Sequence, residues 1–275
     1  MVSWWKDRQA LLFRDKDRSQ GGIHEHSRRE KAIREKRICL YDASGSKILS
    51  RLPEPLPPFL NVHTHRKPSG ADEFVIRNAF SHNPSSNLPS NYFLSFGIHP
   101  WFAKQSNEQE FVHLGTIVQN KNCLAIGECG IDRSKGPNIE FQLQAFKIQI
   151  ELANRLKKPM ILHLVRSYSD ILKISGSIKV PWIVHGFRGN ENEAHMLISK
   201  GARLSFGAAL IHNDKLQSIV AKMPLDKLYL ETDASQERIQ TIYRAAATIR
   251  KSPVDSLRKA IWINFERDFE FTYGQ

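Results

Sequence analysis

Between residues 59 and 232 the chain repeats one pattern eight times: a short apolar run, then a polar stretch. The runs are FLNVH (59–63), FVIRNAF (74–80), YFLSFGI (92–98), CLAIGE (123–128), PMILHL (159–164), WIVHGF (182–187), ARLSF (202–206) and KLYLET (227–232). Each has the length of a strand, and near-continuous apolar character marks strands buried on both faces, as in parallel sheets. Segments 107–121, 139–157, 167–176, 190–200 and 213–222 separate the later runs and read as helices. In 139–157, Leu143, Phe146, Ile150 and Ala153 recur at steps of three and four. Two further helices are predicted at 237–250 and 254–268. Strand–helix alternation predicts a parallel sheet, and eight strands predict its closure into a TIM-like (β/α)8 barrel. Two intervals depart from that plan. His65 to Phe74 is too short for a crossover helix, which needs about a dozen residues. The stretch SHNPSSNLPSN (81–91) is short and full of turn formers. The first two outer helices of the barrel are therefore expected to be missing.

The ends of these runs carry the chemistry. The first ends in His63-Thr64-His65, and residues two apart on a strand share a face, so both imidazoles can reach one point. The fourth ends at Glu128, the fifth at His163, the sixth at His185, and the eighth passes through Glu231 to Asp233. Barrel active sites lie at the C-terminal ends of the strands, where a residue with a purely packing role would be Val, Ile or Leu. One buried histidine at a strand end is most often a hydrogen-bonded core residue. Six polar residues at the same end of five strands point instead to a metal centre. Imidazole and carboxylate bind Zn²⁺, Mn²⁺, Fe²⁺ or Ni²⁺, and carboxylates also admit Mg²⁺. Four histidines and two carboxylates exceed the need of one tetrahedral ion, so two divalent metals (Mg, Mn or Zn) bridged by one carboxylate are expected. Cys129 follows Glu128 but faces the other side of its strand, so it is not counted as a ligand.

Composition narrows the setting. The net charge is +12, and residues 1–58 account for +5 of it, so the remaining sequence is itself basic and suits an anionic partner. Three scattered cysteines, Cys39, Cys123 and Cys129, are expected to be reduced thiols of a cytoplasmic protein. No apolar run reaches the roughly 18 residues of a membrane span, and the charged N-terminus lacks the apolar core of a secretory signal. Residues 1–58 form a basic extension closed by the proline cluster LPEPLPP, so two segments are expected: 1–58, as an extension or an artefact of the start site, and 59–275, as the barrel. Inside the extension, HEHSRREKAIREKR reads as a charged helix and RICLYDASGSKILSRL as a hairpin around Gly45. His24 and His26 form an H-x-H without partners, and Trp4 and Trp5 read as anchors.

The strand-end motifs resemble the TatD family of metal-dependent hydrolases. The matching pieces are NVHTH (61–65), FGIHP (96–100), AIGECGID (125–132), PMILHLVR (159–166), IVHGFRG (183–189) and LYLETDAS (228–235), in family order over about 59–270. The resemblance implies His63, His65, Glu128, His163, His185 and Asp233 as metal ligands. It also implies hydrolysis of phosphodiesters, often at DNA ends, with divalent metal. From the ligand order, Glu128, in the middle, is expected to bridge the two ions, and Asp233, at the end, to accept the proton of the attacking water. Four positions depart from the family pattern: Asn61 replaces an aspartate, Gly186 and Arg188 replace Cys and Ser, and Ser235 replaces a proline. None of these removes a ligand.

Around the six, Arg166 and Arg188 are candidates to clamp a phosphate, and His99 a candidate to touch substrate. Phe187 is placed as a packing residue with base stacking as the alternative, and Glu231 as a partner of a ligand histidine. The expected function is a deoxyribonuclease-like hydrolase with nucleic acid or another phosphodiester as partner and no obligatory protein partner. The rivals are a hydrolase of the same fold acting on an amide or aminoacyl ester, and a nucleic-acid-binding protein without catalysis.

Overall fold

The computed structural model describes residues 37–41, 47–51, 56–79, 88–104 and 107–271. Contacts divide the chain into two units, Met1–Pro55 and Leu56–Gln275. In the first, β1 (Arg37–Tyr41) pairs antiparallel with β2 (Lys47–Arg51), Arg37 opposite Arg51 and Tyr41 opposite Lys47. This is the hairpin expected around Gly45. The charged helix, the H-x-H at His24 and His26, and the Trp4–Trp5 pair lie outside the described residues.

In the second unit the eight apolar runs become eight parallel strands: β3 (Phe59–Thr64), β4 (Glu73–Asn78), β5 (Tyr92–Phe96), β6 (Cys123–Asp132), β7 (Met160–Val165), β8 (Trp182–Val184), β9 (Ala202–Phe206) and β10 (Leu228–Leu230). They pair in chain order from β3 to β10. Their burial is close to continuous, because helices cover one face and barrel side chains fill the other. The helices are α1 (Glu108–Ile117), α2 (Ile139–Leu156), α3 (Tyr168–Ile174), α4 (Glu191–Ser199), α5 (Asp214–Lys222), α6 (Ile239–Ile249) and α7 (Val254–Phe269). Asparagines set several of their starts. Asn107 and Asn190 form reciprocal capping boxes with Glu110 and Glu193, and Asn138 and Asn213 cap α2 and α5.

Two backbone hydrogen bonds close the barrel, His65 N to the Asp233 carbonyl (3.2 Å) and Asp233 N to the His63 carbonyl (3.1 Å). Side chains reinforce the seam. Asn61 accepts from Thr232 N (3.0 Å) and donates to Thr232 Oγ1 (2.9 Å), which in turn bonds Thr64 Oγ1 (2.9 Å). The candidate donors His63, His65 and Asp233 thus sit on the seam that closes the barrel.

The connection from β3 to β4, residues 65–72, contains no helix, as its length requires. Most of the next connection, 80–87, lies outside the described residues. The strand surface left on β4 and β5 is covered from the far end of the sequence. Phe74 stacks on Phe93 (5.0 Å between ring centres), and Trp262 and Phe265 of α7, with Phe271 beyond it, pack edge-on against Phe74. These contacts bury large rings where an outer helix would otherwise lie.

Asn61, where the resemblance implies aspartate, also donates to Glu73 Oε1 at 2.9 Å, and both side chains are buried. The amide serves this oxygen as Ser69 N (2.7 Å) and Oγ (2.6 Å) serve Glu73 Oε2. Asn61→Asp should therefore set two carboxylates against each other and lose both donated bonds. A loss of about 2–3 kcal/mol in urea unfolding at neutral pH is expected. An unchanged midpoint would show that the pair carries no such conflict.

Candidate metal centre

Five of the six predicted donors converge on the sixth, Glu128, which lies inside β6, four residues before its end. Its Oε1 lies 3.0 Å from His63 Nε2, 3.0 Å from His185 Nε2 and 3.9 Å from His65 Nε2. Asp233 Oδ1 lies 3.2 Å from His65 Nε2 and 3.5 Å from His63 Nε2. His163 Nδ1 is 3.2 Å from His185 Nε2. The second Glu128 oxygen, Oε2, accepts from Asn78 Nδ2 (2.8 Å) and lies 3.9 Å from His99 Nε2. Two sets of donor atoms gather closely enough to hold an ion, and both contain Glu128: His63, His65, Glu128 and Asp233, and His99, Glu128 and His163.

Local backbone makes this convergence possible. Gly130 (φ 139°) sits where a β-carbon would run into the His163 carbonyl oxygen, so the strand carrying Glu128 can press closely on β7. Asp233 adopts a left-handed conformation (φ 51°) three residues beyond β10, which Asp tolerates better than most residues.

The donors fit a cation better than they fit each other. Neither ring nitrogen of His63 makes a well-directed hydrogen bond although the residue is fully buried, and His185 Nδ1 is likewise unsatisfied. Both outer nitrogens of the His163–His185 pair face carboxylates, Asp132 at 3.3 Å and Glu231 at 3.5 Å. When each imidazole turns its N–H outward to a carboxylate, two lone pairs meet 3.2 Å apart, an arrangement that calls for a positive charge between them. Burial works against a charged His185, but Glu128 and Glu231 outweigh it and raise its pKa well above the usual imidazole value. Burial also opposes ionisation of Glu128 and Asp233, yet the neighbouring histidines hold both far below the usual carboxylate range. Burial and the neighbouring His163 push His99 down to about 4, so it offers a neutral imidazole.

All six predicted donors are brought together, and His99, expected to touch substrate, stands beside them from the loop after β5. Glu231 Oε1 accepts from Gly186 N (2.6 Å) and faces His185, the role expected of it. Arg188 is exposed and edges a cavity of about 500 Å³ beside Glu231. Arg166 is exposed, in a left-handed turn after β7, and lines neither this cavity nor the larger one at the site. Phe187 is 1% exposed and packs on Tyr168 and Phe206, which rules out base stacking as the structure stands. Cys123 and Cys129 are buried free thiols, and the Cys129 sulfur faces the carbonyls of Ile126 and Ile161, away from the donors.

Three residues escaped the sequence reading: Asn78, Asp132 and Trp101. Asn78 also accepts from Glu128 N (3.2 Å), gripping that residue at both main chain and side chain. It ends β4, but it sits two residues inside the apolar run FVIRNAF, so the end of the run did not mark it. Asp132 shares its strand face with Glu128 by the two-residue repeat. Burial tends to raise its pKa, and bonds from Ser134 and Trp101 outweigh this and hold it at about 2. The larger cavity, about 760 Å³, has Phe96, Ile98, Trp101, Phe102 and Leu114 in its wall and Glu128, His163, His185 and Asp233 at one end.

A barrel of eight parallel strands with four imidazoles and two carboxylates at their C-terminal ends defines a metal-dependent hydrolase. The family described as TatD related DNase matches residues 82–270, and the chain belongs to the TatD family. It is 26% identical over 206 residues to an uncharacterized metal-dependent hydrolase of Haemophilus influenzae, covering 66% of this chain and 79% of that protein. It is 30% identical over 149 residues to a putative deoxyribonuclease TATDN1 homolog of Vairimorpha ceranae, about half of each (54% and 54%). It is 27% identical over 157 residues to the 3'-5' ssDNA/RNA exonuclease TatD of Erwinia billingiae, covering 53% of this chain and 59% of that one. Among solved structures, the TatD homolog YjjV of Escherichia coli K12 superposes with a TM-score of 0.67 at 20% identity, covering 78% of this chain and 98% of that one. A TatD family hydrolase of Entamoeba histolytica gives the same TM-score at 15% identity, with the same coverage. Among the described residues, no helix is long and apolar enough to cross a membrane.

Proposed function

We propose that this chain is a two-metal phosphodiesterase acting on nucleic acid ends, DNA foremost. The observation that carries the reading is the sharing of Glu128 by two donor sets, because a carboxylate common to two sets is what a bridged metal pair requires. His63, His65 and Asp233 would hold one ion with Glu128, and His163 and His185 the other, with His99 beside it. Divalent ions there would supply positive charge to a phosphoryl group and lower the pKa of water. The chain's own residues do the rest. Asp233 is 43% exposed at its side chain, with Oδ1 engaged by His63 and His65, which leaves Oδ2 to take a proton from the attacking water. Asn78 keeps Glu128 from turning. Arg188, and more remotely Arg166, offer guanidinium groups to outer phosphates. The net charge of +12 favours a polyanion, and the relatives named as nucleases support the same substrate class.

Two measurements test this. Metal titration followed by elemental analysis should give two divalent ions per chain. The loaded protein should then cleave single-stranded DNA, duplex DNA, RNA or bis(p-nitrophenyl) phosphate, with single-stranded DNA ends preferred. Saturation at one ion sinks the two-metal claim. Turnover of amide or aminoacyl esters alone would favour the same-fold rival, and nucleic acid binding that survives loss of the histidines without any cleavage would favour a non-catalytic binder.

A further inference from the structure

Asp132 lies at the end of β6, four residues beyond Glu128, and is 2% exposed. Its Oδ1 is filled by Ser134 N (2.8 Å), Ser134 Oγ (2.6 Å) and Lys135 N (3.1 Å). Its Oδ2 accepts the indole N–H of Trp101 at 2.7 Å and lies 3.3 Å from His163 Nε2. Gln142 holds the Asp132 backbone on both sides, accepting from its N–H (2.8 Å) and donating to its carbonyl (3.0 Å). The carboxylate is thus immobile, and all the partners around it are donors. A carboxylate placed this way can only accept.

We propose that Asp132, clamped by Trp101, is the positioning residue that fixes the tautomer of His163. With Oδ2 facing Nε2, the single proton of a neutral His163 belongs on Nε2. The lone pair then lies on Nδ1, the nitrogen turned toward His185 and the donor cluster. Trp101 gives the arrangement a second consequence. It is 41% exposed in the wall of the larger cavity, with the Lys135 ammonium 4.8 Å from its ring centre. The cavity wall and the imidazole therefore bond to one and the same carboxylate oxygen. A ligand that displaces Trp101 removes a donor from Asp132 and loosens His163, which couples occupation of the cavity to the geometry of the donor cluster.

The consequence for metal binding rests on the metal-centre reading above, but the tautomer itself does not. Long-range ¹H–¹⁵N spectra of the full, metal-free chain at pH 8 should show His163 as the Nε2–H tautomer, and an Nδ1–H tautomer overturns the proposal. In Zn²⁺ titrations, Asp132→Ala should weaken the second equivalent by about 10–100-fold and leave the first unchanged, the usual effect of removing a carboxylate behind a ligand histidine. Trp101→Phe keeps the ring and loses only the N–H. It should weaken the same equivalent several-fold, whereas a residue serving only as cavity wall would raise KM and leave Zn²⁺ affinity intact. Wild-type affinity for the second equivalent in both variants overturns the proposal. If Asp132→Ala does not fold, Trp101→Phe and the tautomer decide. If the wild type takes up no second ion, the two-metal reading fails and the tautomer alone decides.

Discussion

Asp233→Asn is expected to lower turnover by at least about 10²-fold while keeping most of the bound metal, the usual worth of a general base. Glu128→Gln is expected to lose metal and rate together. The contrast follows from where the two carboxylates stand. Glu128 is 4% exposed and belongs to both donor sets, with Oε1 among His63, His65 and His185 and Oε2 toward Asn78 and His99. An amide replaces one of its oxygens with an NH2 group, which can neither bind a cation nor accept an imidazole N–H. With the NH2 at the Oε1 position the contact to the histidines loses its acceptor, and with it at Oε2 two donors meet at Asn78 Nδ2. Asp233 has one oxygen among histidines and a half-exposed side chain, so an amide oxygen can take the place of Oδ1. Its left-handed backbone is one that asparagine adopts readily, so the substitution leaves the seam intact. Rates at saturating substrate, with metal content from the same preparations, check this. Equal metal loss in the two variants, or near-normal turnover in Asp233→Asn, means the roles are assigned wrongly even if the centre is real.

The second large effect is on stability. Asp268, in α7, is 2% exposed and receives Arg203 Nε (2.8 Å) and Nη2 (2.5 Å) from β9 together with the Tyr229 hydroxyl (2.9 Å) from β10. Burial would raise its pKa, but bonds from Arg267 and Arg203 keep it below the ordinary value. Asp268→Ala leaves the largely buried Arg203 guanidinium without its counter-ion and the buried Tyr229 hydroxyl without its acceptor. Removing one partner of such a pair costs about 3–5 kcal/mol. In a domain of this size that is roughly 10 °C in Tm. Thermal and urea unfolding measure it. The Arg133–Asp170 pair has the same bidentate form but a guanidinium 46% exposed, and Arg133→Ala serves as the control that moves the midpoint far less. Equal shifts in the two variants would show that burial does not decide the strength of these pairs.

Much of the barrel was legible because its signals are local. A strand buried on both faces must be apolar along its length, and an amphipathic helix must repeat its apolar residues every three to four positions. Both rules act within about a dozen residues, so α2 was expected at 139–157 and spans Ile139–Leu156. The donors were legible for the same reason: His163 and His185 each interrupt an apolar run near its C-terminal end, and several polar residues gathered at that end of different strands point to a site. The short interval after His65 likewise excluded a helix by length alone.

What tertiary structure decided is which groups meet across long separations. Asp132 and Trp101 are 31 residues apart, Asn78 and Glu128 are 50 apart, and Asn61 and Thr232 are 171 apart. Nothing in a local period records the register between strands or the rotamer that aims a side chain. The sequence therefore determined a barrel with histidines and carboxylates at one end. Closure of the barrel was needed to bring Asp233 beside His63 and His65 near Glu128, and the pairing of β6 with β7 set Asp132 behind His163. The aromatic rings of α7 cover β4 and β5 because apolar strand surface must be buried by whatever the chain can bring to it, and in this chain that surface is met by a helix about 180 residues downstream.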